Sequence, residues 1–554
     1  MVITNNKYLP YILFVICLIT RLIFFGVYID DWDGVNFAFA LSDKYDVLND
    51  QPHFHGYPVY MFVSWIIYSI CHSDINALIL SGIIFSSLAV IPFYALVSRM
   101  FSLQVAILAS VLYIINPQIW LQAEKTLSDA FGLFFVVTFT YFFYRAIEPI
   151  SDFGMRNADY EFKNPKSQIP NPQSGTWLFL GSLTLGLGLG VRISYMAFII
   201  TWGFIIYVVC KHTSIKKSIL AGFGGLGLGV IVWLGYLLSK FGVVNYFNKF
   251  TSHSRYHFIE EGYSIIGSSD NIGRLMAILK NIVAHSLGAY WTDTPLLRIL
   301  PTVVMVIAVV TYIIKEKLDF KNRFLLISIV SYVIWLVVVQ TAIRQTMVLV
   351  PFVIILISAG IFYFVNGIKT VKAKRMWVLP VMLFVIIVPM SFDSGRLVWI
   401  NKETKPPQVA LVDFVADNYD KDTSKLYCLN TWRLFQYYAP EWRDNKNRHV
   451  YFTSKISNAE RNLKHVSHKP DNVLVSSKLY GKDKYEDRLS SVKLFERDNY
   501  AVAEYNSLTL YKFNTNRLYT DKRLKDGASF SALAKVLASL AAIQDSNDLK
   551  RKED

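Results

Sequence analysis

Apolar residues along this chain come in long, nearly unbroken stretches. They fall near 8–29, 75–97, 102–121, 129–147, 176–191, 194–210, 217–239, 297–314, 324–340, 346–366 and 376–394. Stretches of roughly 20 apolar residues have the length of a helix that crosses a bilayer. The pattern therefore predicts a polytopic α-helical membrane protein with about eleven spans. One further run, 57–71, is short and studded with Tyr, Trp and Ser. Beyond about 400 the pattern becomes that of a soluble α/β domain. "PPQVALVDFVADNYD" spaces Val409, Val412, Ala416 and Tyr419 along one helical face, and "SKLYCLN", "HVYFTS", "VLVSS", "VKLFERD" and "LTLYKF" read as short strands. The expected division is a transmembrane part over 1–395, an extracytoplasmic α/β domain over 396–516 and a tail over 517–554 with no assigned role.

Basic residues orient the spans. Lys211, Lys216 and Lys217 form one cluster, Lys315, Lys317, Lys321 and Arg323 a second, and Lys369, Lys372, Lys374 and Arg375 a third. Cytoplasmic loops carry the excess of Lys and Arg. All three clusters share a side with Lys7 and Arg99 if 57–71 lies along the interface as a juxtamembrane helix. The first loop (30–74), the turn 124–129, the long loop 240–296 and the C-terminal domain then share the outer face, and the N-terminus is cytoplasmic. The polar segment 148–175 reads as a cytoplasmic loop.

Composition agrees with this layout. Of 554 residues, 53% are hydrophobic and only 18% charged, and the net charge of +15 is what inner basic loops require. No nucleic-acid-binding signature accompanies it, so nucleic acid is not an expected partner. Four scattered cysteines (17, 71, 210 and 428) show neither CxxC nor zinc spacing. The glycines of "LTLGLGLGV" and "AGFGGLGLG" lie inside apolar runs and read as helix-packing positions.

The outer face gathers chemistry. "DDWDGVNFAFA" places Asp30, Asp31 and Asp33 directly after the first span, "QPHFHGYPVY" adds His53 and His55, and "EKTLSD" adds Glu124 and Asp129 from another helix. Carboxylates beside membrane spans are costly and usually functional. Asp30 reads as an interfacial helix end. Asp31, Asp33 and Asp129 read as the functional set, and if "DWD" is extended its two side chains point in opposite directions, so both need not serve one role. His53, His55, Arg192 and Arg344 are cations on the same face, the candidates to hold the donor phosphate that the resemblance given below implies. Arg21, well inside the first span, calls for a partner, such as an acidic residue of the site, and with Glu124 is assigned a supporting role. His253, Arg255 and His257 in the 240–296 loop read as a solvated face.

These motifs resemble the C-type (GT-C fold) glycosyltransferases that use polyprenyl-phosphate sugars, and most nearly bacterial family 39-like members. Related enzymes are the protein O-mannosyltransferases and the lipid A aminoarabinose transferase. The resemblance covers roughly 8–395. It rests on Asp33 four residues before Phe37-Ala38, with Asp31 as the alternative, on His53 ahead of the juxtamembrane helix, and on Leu127-Ser128-Asp129. The Pro-Pro that follows the family's Lys or His is replaced here by Gly56-Tyr57-Pro58. The resemblance implies sugar transfer from a polyprenyl-phosphate donor to a glycan, lipid or protein acceptor at the outer face of the plasma membrane. Asp33 or Asp31 would be the general base, inversion the outcome, and Asp129 a group that orients the acceptor, assists as base or helps bind a metal. A metal is left open: Asp31, Asp33 and Asp129 could hold Mg²⁺ or Mn²⁺ through oxygen ligands. Two rivals remain from the residues alone. One is a lipid or sugar transporter, which should show a midplane site and repeats; the other is a non-catalytic assembly or sensor protein.

Overall fold

The computed structural model describes residues 7–156 and 172–514, apart from 261–263, 266–269, 293, 317–318, 340–341, 369–371, 430, 444–448, 454, 465–469, 478, 480–481 and 498–506. The tail 517–554 lies outside the described residues. Two compact units emerge: residues 1–409 with 497–506, and residues 410–496 with 507–554.

The first unit is helical. Among the described residues, eight helices are long and apolar enough to cross a membrane, and nine if Leu103–Ile114 and Pro117–Ala123 count as one bent span. Leu9–Ile23 and Pro58–Cys71 are shorter apolar helices, and Pro172–Leu189 is a further helix. Every predicted apolar run contains one of these helices, so the pattern located them well.

Four helix boundaries differ from the expected ones. The first helix stops at Ile23, and the chain continues irregularly to Asp31. Gly26 lies there against the Glu124 carbonyl oxygen, 2.5 Å from where a Cβ would stand, so this segment packs onto the 124–129 turn. The run 102–121 is broken and bends by 53°. Pro117 has no N–H to continue the ladder, while the Asn116 side chain accepts from Ile119 N at 3.0 Å and starts a second helix. The last span continues to Glu403, past the predicted end at 394, and the first unit extends to Val409.

The helix Ser128–Arg156 likewise runs into the stretch expected to be loop, of which 157–171 lie outside the described residues. Glu148 on that extension is held by Arg99 at 3.1 Å and Arg145 at 3.0 Å. The glycine-rich runs do pack helix against helix. A Cβ on Gly229 would stand 2.5 Å from the Leu183 carbonyl oxygen, so Pro172–Leu189 and Ile215–Phe241 touch backbone to backbone.

The second unit is a mixed five-stranded sheet. Its strands are β1 Ser424–Cys428, β2 Val450–Phe452, β3 Asn472–Ser476, β4 Leu489–Glu496 and β5 Ser507–Phe513, in the order β2-β1-β3-β5-β4. β1 pairs in parallel with β2 and β3, and β5 pairs antiparallel with β3 and β4. Tyr427, Val473, Val475 and Phe513 pack with Ile456, Ala459 and Leu463 of the helix Ile456–Lys464 as its core. All five stretches read as strands from the sequence contain one.

Candidate active site

The acidic cluster is built by one helix start. Asp31 is the N-cap of Trp32–Ser42, and its Oδ1 accepts from Asp33 N at 2.8 Å. Asp33 stands in the first turn, where the helix dipole favours a carboxylate. The "DWD" is therefore a capped helix start and not an extended strand. Both carboxylates address one cation: Arg344 Nη2 is ion-paired with Asp33 Oδ2, and Arg344 Nη1 lies 3.7 Å from Asp31 Oδ1.

His53 completes the Asp33 surroundings. Its Nδ1 is 3.4 Å from Asp33 Oδ1, and its Nε2 is 2.6 Å from the Tyr57 hydroxyl. Burial alone would raise the Asp33 carboxyl, but His53, Arg344 and Arg192 together outweigh it and hold the group well below the usual carboxylate range.

A second pair stands nearby. Arg192 Nη1 is 2.7 Å from Asp129 Oδ2 and donates to Ser128 Oγ at 3.3 Å. Tyr57 lies within the fields of Arg192, Asp33, Arg344 and Asp129. Burial pushes its phenol well above its ordinary value, against Arg192 and Arg344, whose lowering outweighs what Asp33 and Asp129 add. Two Asp–Arg pairs thus flank one tyrosine, with their four members drawn from four segments of the chain.

Other predicted residues take different roles. His55 is buried against Tyr57 and Trp233, with ring centroids at 4.7 and 6.2 Å. Burial, then the His53 and Arg192 charges, lower its pKa to about 3, so it is a neutral imidazole rather than the cation expected for a phosphate. Among the described residues no carboxylate forms an ion pair with Arg21, although its charge acts on Glu124. Arg21 donates from Nη2 to the Ile114 carbonyl at 2.8 Å and lies 5.2 Å over the Trp120 ring. Trp120 Nε1 in turn donates to Glu124 Oε1 at 2.7 Å, and burial pushes the Glu124 carboxyl well above its ordinary value. Arg21 thereby fastens the exposed carbonyl end of Leu103–Ile114 and supports the turn through Trp120.

Asp30 is more than a boundary residue. It is ion-paired with Lys125, and Arg497, which belongs to the same compact unit, lies 3.8 Å away. Burial opposes ionisation, yet Lys125 and Arg497 hold the Asp30 carboxyl below its ordinary value. The pair ties the first loop to the turn carrying Asp129.

Sequence reasoning missed Tyr57, Lys125 and Arg497 and set His253 on a solvated face. The structure stacks His253 on His53, with centroids at 6.0 Å and planes at 26°. Lys125 stood in the quoted motif, but nothing in the pattern pointed it at Asp30.

The turn that carries Arg344 is clamped. Gln118 Nε2 donates to the Ile343 carbonyl at 2.6 Å, and Asn116 Nδ2 donates to the Ser286 carbonyl at 2.7 Å. Ser286 and Thr346 hydroxyls are 2.7 Å apart, which closes the buried network around the arginine's backbone.

The three carboxylates do not form a metal site. Asp31 and Asp33 face Arg344 and Asp129 faces Arg192, so cations already occupy the positions a divalent ion would need. Among the described residues no group of three His, Cys, Asp or Glu side chains is placed to hold a metal.

Known proteins agree with this picture at the level of fold. Residues 50–153 match the family model described as dolichyl-phosphate-mannose-protein mannosyltransferase. No curated protein matches the sequence. The structure of ArnT from Cupriavidus metallidurans bound to undecaprenyl phosphate is similar at a TM-score of 0.51 and 10% identity, over 92% of this chain and 98% of that one. The oligosaccharyltransferase AglB from Archaeoglobus fulgidus, in complex with an inhibitory peptide and a dolichol-phosphate, is similar at 0.50 and 11%, over 90% and 75%. The fold is that of the GT-C membrane glycosyltransferases, as the sequence motifs predicted.

Proposed function

We propose that this protein is a membrane glycosyltransferase that moves a sugar from a polyprenyl-phosphate donor to an acceptor hydroxyl or amine. The observation that carries the reading is Asp33, an ionised carboxylate at a helix start, held between Arg344 and His53 beside a second Asp–Arg pair. In the reaction the acceptor oxygen or nitrogen bonds the anomeric carbon as the bond from that carbon to the phosphate oxygen breaks. Asp33 takes the acceptor's proton, the polyprenyl phosphate leaves as an anion, and a single displacement inverts the anomeric configuration. Arg344 and Arg192 stabilise the charge that develops on the phosphate.

The pairing adds a feature of its own. A donor phosphate competes with Asp33 for Arg344. As the guanidinium turns to the phosphate, the carboxylate loses its nearest opposite charge and becomes a stronger base. Donor binding would thus ready the enzyme for the acceptor. Asp129 orients the acceptor, and His53 and Tyr57 fix the geometry around Asp33. The ArnT and AglB structures hold polyprenyl phosphates, undecaprenyl and dolichol respectively, which supports this donor class.

The basic clusters support a plasma-membrane orientation with the N-terminus inside and the site and C-terminal domain outside. Reporters fused after Val209 and after Asp420 should read cytoplasmic and external. Transfer itself is tested in proteoliposomes with a labelled polyprenyl-phosphate sugar. Labelled sugar appearing on the acceptor supports the enzyme, and movement of the lipid across the bilayer without transfer overturns it.

A further inference from the structure

We propose that the helix Val243–Arg255 is a membrane-surface strap, with one flank among the acyl chains of the bilayer and its inner edge fixing the His53 loop. The helix has three strips rather than two. Tyr246, Lys249 and His253, spaced at three and four residues, form the inner edge. Tyr246 is buried with its ring 5.2 Å from that of Phe54, and its hydroxyl donates to the His55 carbonyl at 3.4 Å. Lys249 Nζ is 2.8 Å from Asp50 Oδ1, and His253 stacks on His53. Phe250 joins this edge through Phe54, with centroids at 5.5 Å.

The remaining surface is divided. Val243, Val244 and Phe247 are exposed on one flank, with Thr251 among them, and Asn245, Asn248 and Ser252 on the other. A helix that meets only protein and water keeps its exposed side polar, whereas a helix in the membrane surface needs separate apolar and polar flanks.

The helix also begins where a span ends. Ile215–Phe241 is long and apolar enough to cross the membrane and exposes Leu220, Phe223, Ile231 and Tyr236. Only Gly242, with φ of +79°, separates the two helices, and that backbone conformation suits glycine. The exposed apolar strip therefore continues a lipid-facing surface, and bilayer acyl chains are the occupant that this continuity selects. Lipid contact on one side of the strap and the His53 stack on the other place the candidate site directly at the membrane surface.

The test uses the full chain, with Cys71 and Cys210 replaced by Ser, in phosphatidylethanolamine–phosphatidylglycerol vesicles. Nitroxide labels are placed singly through Val244→Cys, Phe247→Cys, Asn245→Cys and Asn248→Cys. Power saturation is then measured with oxygen, which concentrates in lipid, and with a nickel chelate, which stays in water. The expected result is relaxation dominated by oxygen at 244 and 247 and by nickel at 245 and 248. Nickel dominance at 244 and 247 would place the flank in water. Exclusion of both relaxers there would mean that protein covers it; either result overturns the proposal. The readout is independent of sugar transfer, so it stands or falls separately from the proposed reaction.

Discussion

Arg344 and Asp33, from opposite ends of the transmembrane unit, meet as a direct ion pair, with Asp31 only 3.7 Å from the same guanidinium. One arginine thus holds down two of the three carboxylates that open the first loop. As the proposed base, Asp33 so held is weak until the arginine is drawn elsewhere.

The pH dependence of transfer should show this. Asp33 sits below the ordinary carboxylate range, so the acid limb of kcat/KM due to it lies below the usual carboxylate value of about 3.9. Arg344→Gln removes a positive charge beside the anion and raises the folded-state pKa, which moves that limb to higher pH. Profiles of the two proteins, measured in vesicles, check the direction. Coincident acid limbs would detach Arg344 from the base.

Asp30 carries a stability prediction. Asp30→Asn leaves Lys125, whose side chain is 9% exposed, without its carboxylate. Removing one partner of a buried pair costs roughly 3–5 kcal/mol. Asp30→Asn should therefore melt earlier in detergent, and adding Lys125→Met should restore part of the loss. The sign with pH follows from the lowered pKa. The contribution is present above the unfolded value of about 3.9 and fades as pH falls through the lower folded one. An unchanged melting curve for Asp30→Asn would return Asp30 to a boundary role.

The fold was legible because length and hydropathy alone decide which segments cross a bilayer, and each of the eleven runs contains a helix. The break at Asn116-Pro117 was written in the sequence, but the apolar run around it masked the signal. Local motifs likewise disclosed that Asp33, His53 and Asp129 were worth finding. Their partners were not legible. The pairing of Arg344 with Asp33 was hidden because the Arg344 motif says nothing about Asp33, and Asp30 looked idle because Lys125 and Arg497 approach it only in three dimensions. The charge of His55 was misread for a related reason. Burial, which neutralises it, is a property of the packed molecule.

Gln118 should matter through Arg344. Gln118→Ala leaves the half-buried Ile343 carbonyl without this donor, a loss at the low end of about 1–3 kcal/mol. Because the next residue is Arg344, donor KM should rise more than kcat falls, and Gln118→Asn should rescue poorly since its amide is one methylene short. Steady-state kinetics with the polyprenyl-phosphate sugar separate these effects from a general loss of folded protein, followed by thermal unfolding. Equal changes in both variants' melting and kinetics would reduce Gln118 to a packing residue.

The two carboxylates of "DWD" should separate cleanly. Asp31 caps a helix, and asparagine caps about as well as aspartate, so Asp31→Asn should keep the helix start and most of the activity. Asp33 makes no cap; its carboxylate faces Arg344 and His53, where a proton acceptor would be needed. Asp33→Asn preserves shape but removes basicity, and general-base loss typically costs about 10²–10⁴-fold in rate. Donor binding, followed separately with unreactive polyprenyl phosphate, should persist in Asp33→Asn and tighten, because the amide no longer competes for Arg344. Tighter binding together with slow transfer is a combination that simple misfolding cannot produce. If Asp31→Asn loses transfer and Asp33→Asn keeps it, the base is Asp31 and the helix cap is the catalytic group. If both keep it, the acidic start of this helix serves only to anchor Arg344.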